Sequence, residues 1–334
     1  MSSFGSKLGY FVRQRSFQIA LALWVAISVA AVVLCHGTMP LPIGPHPGAP
    51  VPMVIFSSIA LIFLVLEAGL IALITRRRPL PDLAARAPER SVALRETFGL
   101  LIYGAIVLVV GQFVGLHYFG AGIAMHLNGS LVGATHVQSP AEVYTWVAYN
   151  GILLGLIPYV VFRMRGYSNQ QLNLKSSNLM SDVIVIAAVL AIGCFMDFML
   201  DGNFLKLTHH QQIVGGLMSF VLHLFGTDLP VMIFIYSILV PRYAKLTAPV
   251  TAFLLGAASY PAIHVFEAWT RYDSVEHSLL SVIVVFLTFF PAGVMKSFLT
   301  MRTGNAWVHV WGFHAISPHV TVDTRLIVRD FDIR

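Results

Sequence analysis

The stretch FLTFFPAGVMKSFLTMRTGNAWVHVWGFHAISPH, residues 286–319, decides the fold that we predict for this chain. An apolar helix passes a Pro-Ala-Gly break at 291–293 and reaches a Thr-Gly turn at 303–304, and a second apolar run then carries His314 in its middle. A histidine in a segment of membrane-spanning composition is unfavourable unless it has a partner or a function. The stretch therefore predicts two membrane helices and makes His314 the first candidate functional residue.

The composition of the whole chain supports a membrane protein. Of its 334 residues 57% are hydrophobic and 11% are charged, and the mean hydropathy is +0.78. A soluble domain has about 25% charged residues, whereas several apolar runs here reach the roughly 18–20 residues that cross a bilayer. The net charge of +6 lies mainly at the ends of these runs, which indicates a lipid environment and not nucleic acid as the partner.

The hydropathy pattern predicts an all-α, polytopic membrane helical bundle with about eight transmembrane helices. Basic clusters such as TRRR at 75–78 and RMR at 163–165 fall at alternate segment ends, so we predict a multi-pass protein of the bacterial inner membrane with a cytoplasmic N-terminus. One helix is expected to be broken near 226–230, where Gly-Thr-Asp-Leu-Pro interrupts an apolar run. Thr227 or Asp228 is expected to cap the half-helix that begins there.

Ionisable side chains inside the predicted spans are candidates for function. They are Glu67, Asp197, His223, Asp228, His264, Glu267 and His314. The alternative for each is a polar group that hydrogen-bonds a neighbouring helix, and Glu267 is alternatively solvated near the outer interface. The five-residue spacing after His314 predicts that His319 lies at the outer surface.

Two of these histidines form a possible metal site. His264 and Glu267 are three residues apart and share a helix face, and His264 with His314, helped by Glu267 or Asp228, would supply two imidazoles and a carboxylate. The cofactor would then be a divalent metal, or else a pigment ligated axially by a neutral histidine. The predicted outer-loop histidines have no metal-site spacing; they are His36, His46, His117, His126 and His136.

Four places in the chain resemble the CPBP family, the intramembrane proteases related to the CAAX prenyl endopeptidase and to bacteriocin-processing enzymes. They are FRMRG at 162–166, LVPRY at 239–243, YPAIH at 260–264, and FPAG at 290–293 followed by RTGNAW at 302–307 and His314-Ala315. The resemblance implies a CPBP-like membrane domain at 161–320. About four transmembrane helices at 1–160 would precede it, and a polar tail at 321–334 would follow.

The chain also departs from the family pattern. The family's first motif is a Glu-Glu pair with an arginine four positions after the second glutamate, and here those positions hold Val231, Met232 and Tyr236. The small polar residue expected four positions after His314 is Pro318. The resemblance therefore implies that His264 and His314 are the remaining catalytic candidates, with Asp228 and Glu267 as possible substitutes for the missing carboxylates.

Three functional hypotheses follow. The first is a catalytically inactive scaffold or accessory subunit that binds other membrane proteins in a complex, because valine and methionine cannot activate water. The second is an active intramembrane protease of metallo or glutamic type with a rearranged site. The third is a cofactor- or pigment-holding subunit of an electron-transfer or light-harvesting complex.

Overall fold

The computed structural model describes residues 9, 12–42, 50–127 and 137–334, and all regular structure in these residues is helical. Within these residues, seven helices are long and apolar enough to cross a membrane. They are α1 (Arg15–Leu34), α2 (Pro50–Ile74), α3 (Arg90–Phe119), α4 (Pro140–Met164), α5 (Leu179–Asp201), α6 (Gln211–Leu246) and, after the shorter α7 (Pro249–Ala262), α8 (Val275–Thr303). The predicted all-α membrane bundle is confirmed. His46 and His136 lie outside the described residues.

The chain after α8 forms short helices. Helix α9 (Trp307–His309) continues as the π-helix Val310–His314, and α10 (Ser317–Thr321) and α11 (Thr324–Asp330) follow. Because α7 has 14 residues and α9 to α11 are shorter, none of them reaches membrane-spanning length alone. The residues predicted as a polar tail include α11, which packs on α6 and buries Ile327.

Helix α6 is the most buried of the long helices. It runs without interruption but changes to π-helical hydrogen bonding at three places, Gln211–Gly215, Leu224–Asp228 and Met232–Leu239. The irregularity predicted near 226–230 is therefore a π-helical turn within a continuous helix, a form often found at functional sites. Asp228 makes no capping hydrogen bond, so its expected role as an N-cap is wrong.

Helices α7 and α8 pack closely because small residues face each other. A methyl group added to Gly293 of α8 would lie 2.2 Å from the carbonyl oxygen of Ala257 on α7. Glycine at this position therefore sets the distance between the two helices. The Pro-Ala-Gly sequence that we expected to break α8 instead lies inside a continuous helix.

Gly293→Ala is expected to lower the free energy of unfolding by about 1–3 kcal/mol, because the helix backbones must separate to admit the methyl group. The measurement is reversible unfolding in mixed detergent micelles. Gly99→Ala on α3 is the matched control, since Gly99 is exposed and nothing lies within 4 Å of the added methyl. Equal stability of the two variants would show that the helices tolerate the wider spacing.

Arginines tie the loop after α2 to the neighbouring helices. Arg78 donates to Asp182 at the start of α5, and Arg302 at the end of α8 donates to Thr75. The guanidinium of Arg86 donates to the carbonyl of Gly304, at 2.6 Å. These contacts fix the end of the bundle at which α3 begins and α8 ends.

Candidate metal centre

Five buried histidines gather toward the end of the bundle at which α3 and α7 end. Each is at most 3% exposed. They come from separate parts of the chain, namely His126 from the segment after α3, His223 from α6, His264 from just after α7, His314 from the π-helix after α9, and His319 from α10. Three buried carboxylates, Asp228, Glu267 and Asp323, lie among them.

The possible ligand atoms of the described residues form three groups, and within each group all atoms lie within 4.8 Å of one another. The groups are His126–His314–His319, His126–His264–Glu267 and His223–His319–Asp323. His126 belongs to the first two groups, and His319 belongs to the first and third. The three groups therefore form one connected centre.

The segment that carries His126 folds inward because its backbone finds buried partners. The amide of Asn150 donates to the carbonyl of Ala124 at 2.9 Å, and the hydroxyl of Thr227 donates to the carbonyl of Met125 at 2.7 Å. A buried loop needs such partners for its polar backbone groups. These bonds hold His126 inside the bundle near its end, where its ring stacks on Phe289.

Hydrogen bonds fix the orientation of three of the histidines. Nδ1 of His264 lies 2.6 Å from the Tyr260 carbonyl, Nδ1 of His223 lies 2.8 Å from the Ser219 carbonyl, and Nδ1 of His319 lies 2.7 Å from Oδ2 of Asp323. A carbonyl oxygen only accepts, so Nδ1 carries the proton in His264 and His223. Nε2 of all three rings makes no hydrogen bond within the described part of the chain. This arrangement is typical of histidines that bind a metal through Nε2.

His126 differs from these three histidines. Neither of its ring nitrogens makes a hydrogen bond with any described residue, and Nδ1 lies 3.4 Å from Oε1 of Glu267. Burial, followed by the positive charge of Lys296, lowers the pKa of His126 to about 3. The imidazole is therefore neutral at pH 7, which is the form that ligates metals.

Asp228 lies against two of the histidines. Its Oδ1 is 2.8 Å from Nδ1 of His314 and 3.5 Å from Nε2 of His319. The short approach to His314 lacks hydrogen-bond alignment, so neither carboxylate oxygen has a hydrogen-bond partner among the residues described. The fully buried Lys296 lies with its Nζ 3.5 Å from the centre of the Tyr260 ring. Tyr260 also joins the histidines, because its hydroxyl lies 3.3 Å from Nε2 of His314.

The structure places the four predicted site residues, His264, His314, Asp228 and Glu267, in this one centre. Glu267 is 5% exposed, so it does not lie solvated at the interface as the alternative supposed. Val231 and Met232, where the CPBP pattern would have glutamates, lie in the apolar core.

Two other candidates lie apart from the ligand groups. Asp197 accepts hydrogen bonds from the hydroxyls of Ser317 and Thr321. Glu67 is buried on α2, and its Oε1 has no hydrogen-bond partner in the described structure.

Sequence reasoning missed four members of the centre: His126, His319, Asp323 and Lys296. His319 was predicted at the surface but is fully buried, because the helix is interrupted at 315–316 before α10 begins. The spacing of His319 and Asp323, four residues apart, was an available signal. His126 carried none, because its segment has no periodic pattern.

No family model, no curated protein and no solved structure matches this chain. Its own structure identifies it as an integral, multi-pass membrane protein whose all-α bundle encloses a buried histidine–carboxylate centre.

Proposed function

We propose that this protein is a membrane metalloprotein that holds a divalent transition-metal ion through His126, His314 and His319. The proposal depends on the convergence of these three buried ligand nitrogens within 4.8 Å. Imidazole ligands suit zinc, copper, iron and nickel. Three protein ligands with one open position are the usual set of a catalytic zinc site.

We further propose that the centre hydrolyses peptide bonds within the bilayer, as the resemblance to the CPBP family implies. A divalent metal in such a site lowers the pKa of water and so supplies a nucleophile at neutral pH. Asp228 is placed to accept the proton, because its carboxylate adjoins His314 and His319 and has no hydrogen-bond partner among the described residues. This carboxylate favours an active centre over the inactive scaffold, which was proposed because no carboxylate stands at 231 or 232.

The charge of the centre also favours a bound cation. Asp228, Glu267 and Asp323 supply three carboxylates, whereas Lys296 supplies one ammonium group. If all four are ionised, a net negative charge remains in a buried environment, where it needs a partner. A pigment is less well supported, because each group brings three ligand atoms from separate side chains within 4.8 Å of one another, which suits a single ion.

His314→Ala is expected to weaken Zn²⁺ binding by more than about 100-fold, because it removes a direct ligand and outer partners alone contribute 10- to 100-fold. Purified protein in detergent is equilibrated with Zn²⁺ over a range of free concentrations, and the bound metal is measured by mass spectrometry. His209→Ala is the control, because His209 is exposed in the helical turn just before α6. Wild-type protein that binds no Zn²⁺, or a His314→Ala variant that binds it as tightly, would overturn the metal proposal.

A further inference from the structure

His126 is one of two histidines that belong to two ligand groups each, the other being His319. On one side are His314 and His319, and on the other are His264 and Glu267. One metal ion does not match both groups, because the five ligand residues form two separate sets and not one set of mutually close atoms. The two groups are therefore either alternative sites for one ion or two sites for two ions.

The hydrogen bonding distinguishes His126 from the terminal ligands. In His264 and His319, Nδ1 is engaged by the Tyr260 carbonyl or by Asp323, which leaves only Nε2 for a metal. In His126 both nitrogens lack a hydrogen-bond partner within the described residues. An unpaired buried N–H or lone pair is unfavourable, because it has lost its hydrogen bonds to water and gained none in the protein. A ligand on each nitrogen would remove both penalties.

We propose that the centre is dinuclear, with His126 as an imidazolate bridge between one ion held by His314 and His319 and a second held by His264 and Glu267. The proposal rests on the proposed metal function and adds a second ion to it. Because Nδ1 of His126 lies 3.4 Å from Glu267, we assign Nδ1 to the second ion and Nε2 to the first. We assign a divalent transition metal to both sites. The first site offers imidazoles alone and the second offers imidazoles with a carboxylate, and imidazole is a preferred ligand of such metals.

Formation of the bridge has a simple proton balance. The neutral imidazole carries one N–H proton, and binding of the second ion replaces this proton by a metal–nitrogen bond. The proton passes to water, and no electron is transferred. His126 also lines a small cavity of about 10 Å³ with Gln138 and Trp146, large enough for about one water molecule.

The test is the metal stoichiometry and magnetic state of the full-length protein loaded with Cu²⁺. Wild-type protein is expected to hold two ions per chain by mass spectrometry. Exchange between bridged Cu²⁺ ions should reduce the electron paramagnetic resonance signal below that of two isolated ions. One ion per chain would overturn the dinuclear proposal but leave the metal function standing. No ion at all would overturn both. Two ions with full, uncoupled intensity would overturn the bridge.

Two variants test the assignment of the second site. Glu267→Gln is expected to retain one ion per chain, with the uncoupled signal of a single Cu²⁺. His309→Gln is the matched control, because His309 is also buried with both nitrogens unpaired among described residues but packs on Tyr236 outside the ligand groups. It is expected to retain two coupled ions. Two coupled ions in Glu267→Gln would overturn the assignment of Glu267.

Discussion

Glu96→Ala is expected to lower the free energy of unfolding by about 3–5 kcal/mol, because it leaves the guanidinium of Arg242 buried without its counter-charge. Arg242 on α6 is 1% exposed, and its Nε and Nη2 lie 2.7 Å and 2.6 Å from Oε2 of Glu96 on α3. The guanidinium also stacks on Phe162, 4.5 Å from the ring centre. With the carboxylate removed, the guanidinium keeps its hydrogen bond to the Ile238 carbonyl.

Arg165→Ala provides the matched control for this ion pair. Arg165 contacts the same carboxylate at 2.9 Å, but its side chain is 48% exposed. An exposed pair contributes about 0–1 kcal/mol, so this variant is expected to unfold nearly as wild type does. The measurement is reversible unfolding in mixed detergent micelles.

The double variant Glu96→Ala/Arg242→Met separates the penalty of an unpaired charge from the loss of packing. It is expected to recover much of the stability, because no buried charge remains. If Arg165→Ala destabilises the protein as much as Glu96→Ala does, burial does not decide the strength of this pair.

The helices could be predicted from the sequence because a chain in lipid must satisfy its backbone hydrogen bonds internally. Long apolar runs such as 50–74 and 275–303 therefore predict membrane-spanning helices. The form of the irregularity in α6 could not be predicted. Gly226 and Pro230 marked its place, but the π-helical turn depends on packing, because Gly226 lies directly against the Trp146 ring.

Only part of the centre could be predicted, because some of its members are buried by contacts with segments that are distant in sequence. His264 and His314 were recognisable because each is a polar residue in an apolar segment. Lys296 was overlooked because it lies only six residues before Arg302, at the basic end of α8. His126 was assigned to an outer loop, and its burial depends on bonds from Asn150 and Thr227, which are distant in sequence.

Asp228→Asn is expected to retain the bound metal but to lower the rate of peptide hydrolysis by about 10²- to 10⁴-fold, the contribution typical of a positioned general base. The amide has the shape of the carboxylate but cannot accept a proton at neutral pH. Asp228 is not needed for the His126–His314–His319 ligand group, so metal binding should be within about tenfold of wild type. The rate is measured by mass spectrometry of transmembrane peptides in single-turnover reactions with the metal-loaded protein.

Glu67→Gln is the control for this prediction, because Glu67 is another buried carboxylate whose Oε1 is unpaired in the described structure. It lies outside the three ligand groups, so its replacement should leave both the metal and the rate unchanged. If Asp228→Asn loses the metal, Asp228 is a ligand and not the proton acceptor. If metal-loaded wild-type protein cleaves no peptide in a broad panel, the centre serves structure or metal binding, and the inactive-scaffold hypothesis becomes the better account. A rate loss with retained metal would assign the role of general base to Asp228. The CPBP pattern would place the carboxylate for this role at 231 or 232.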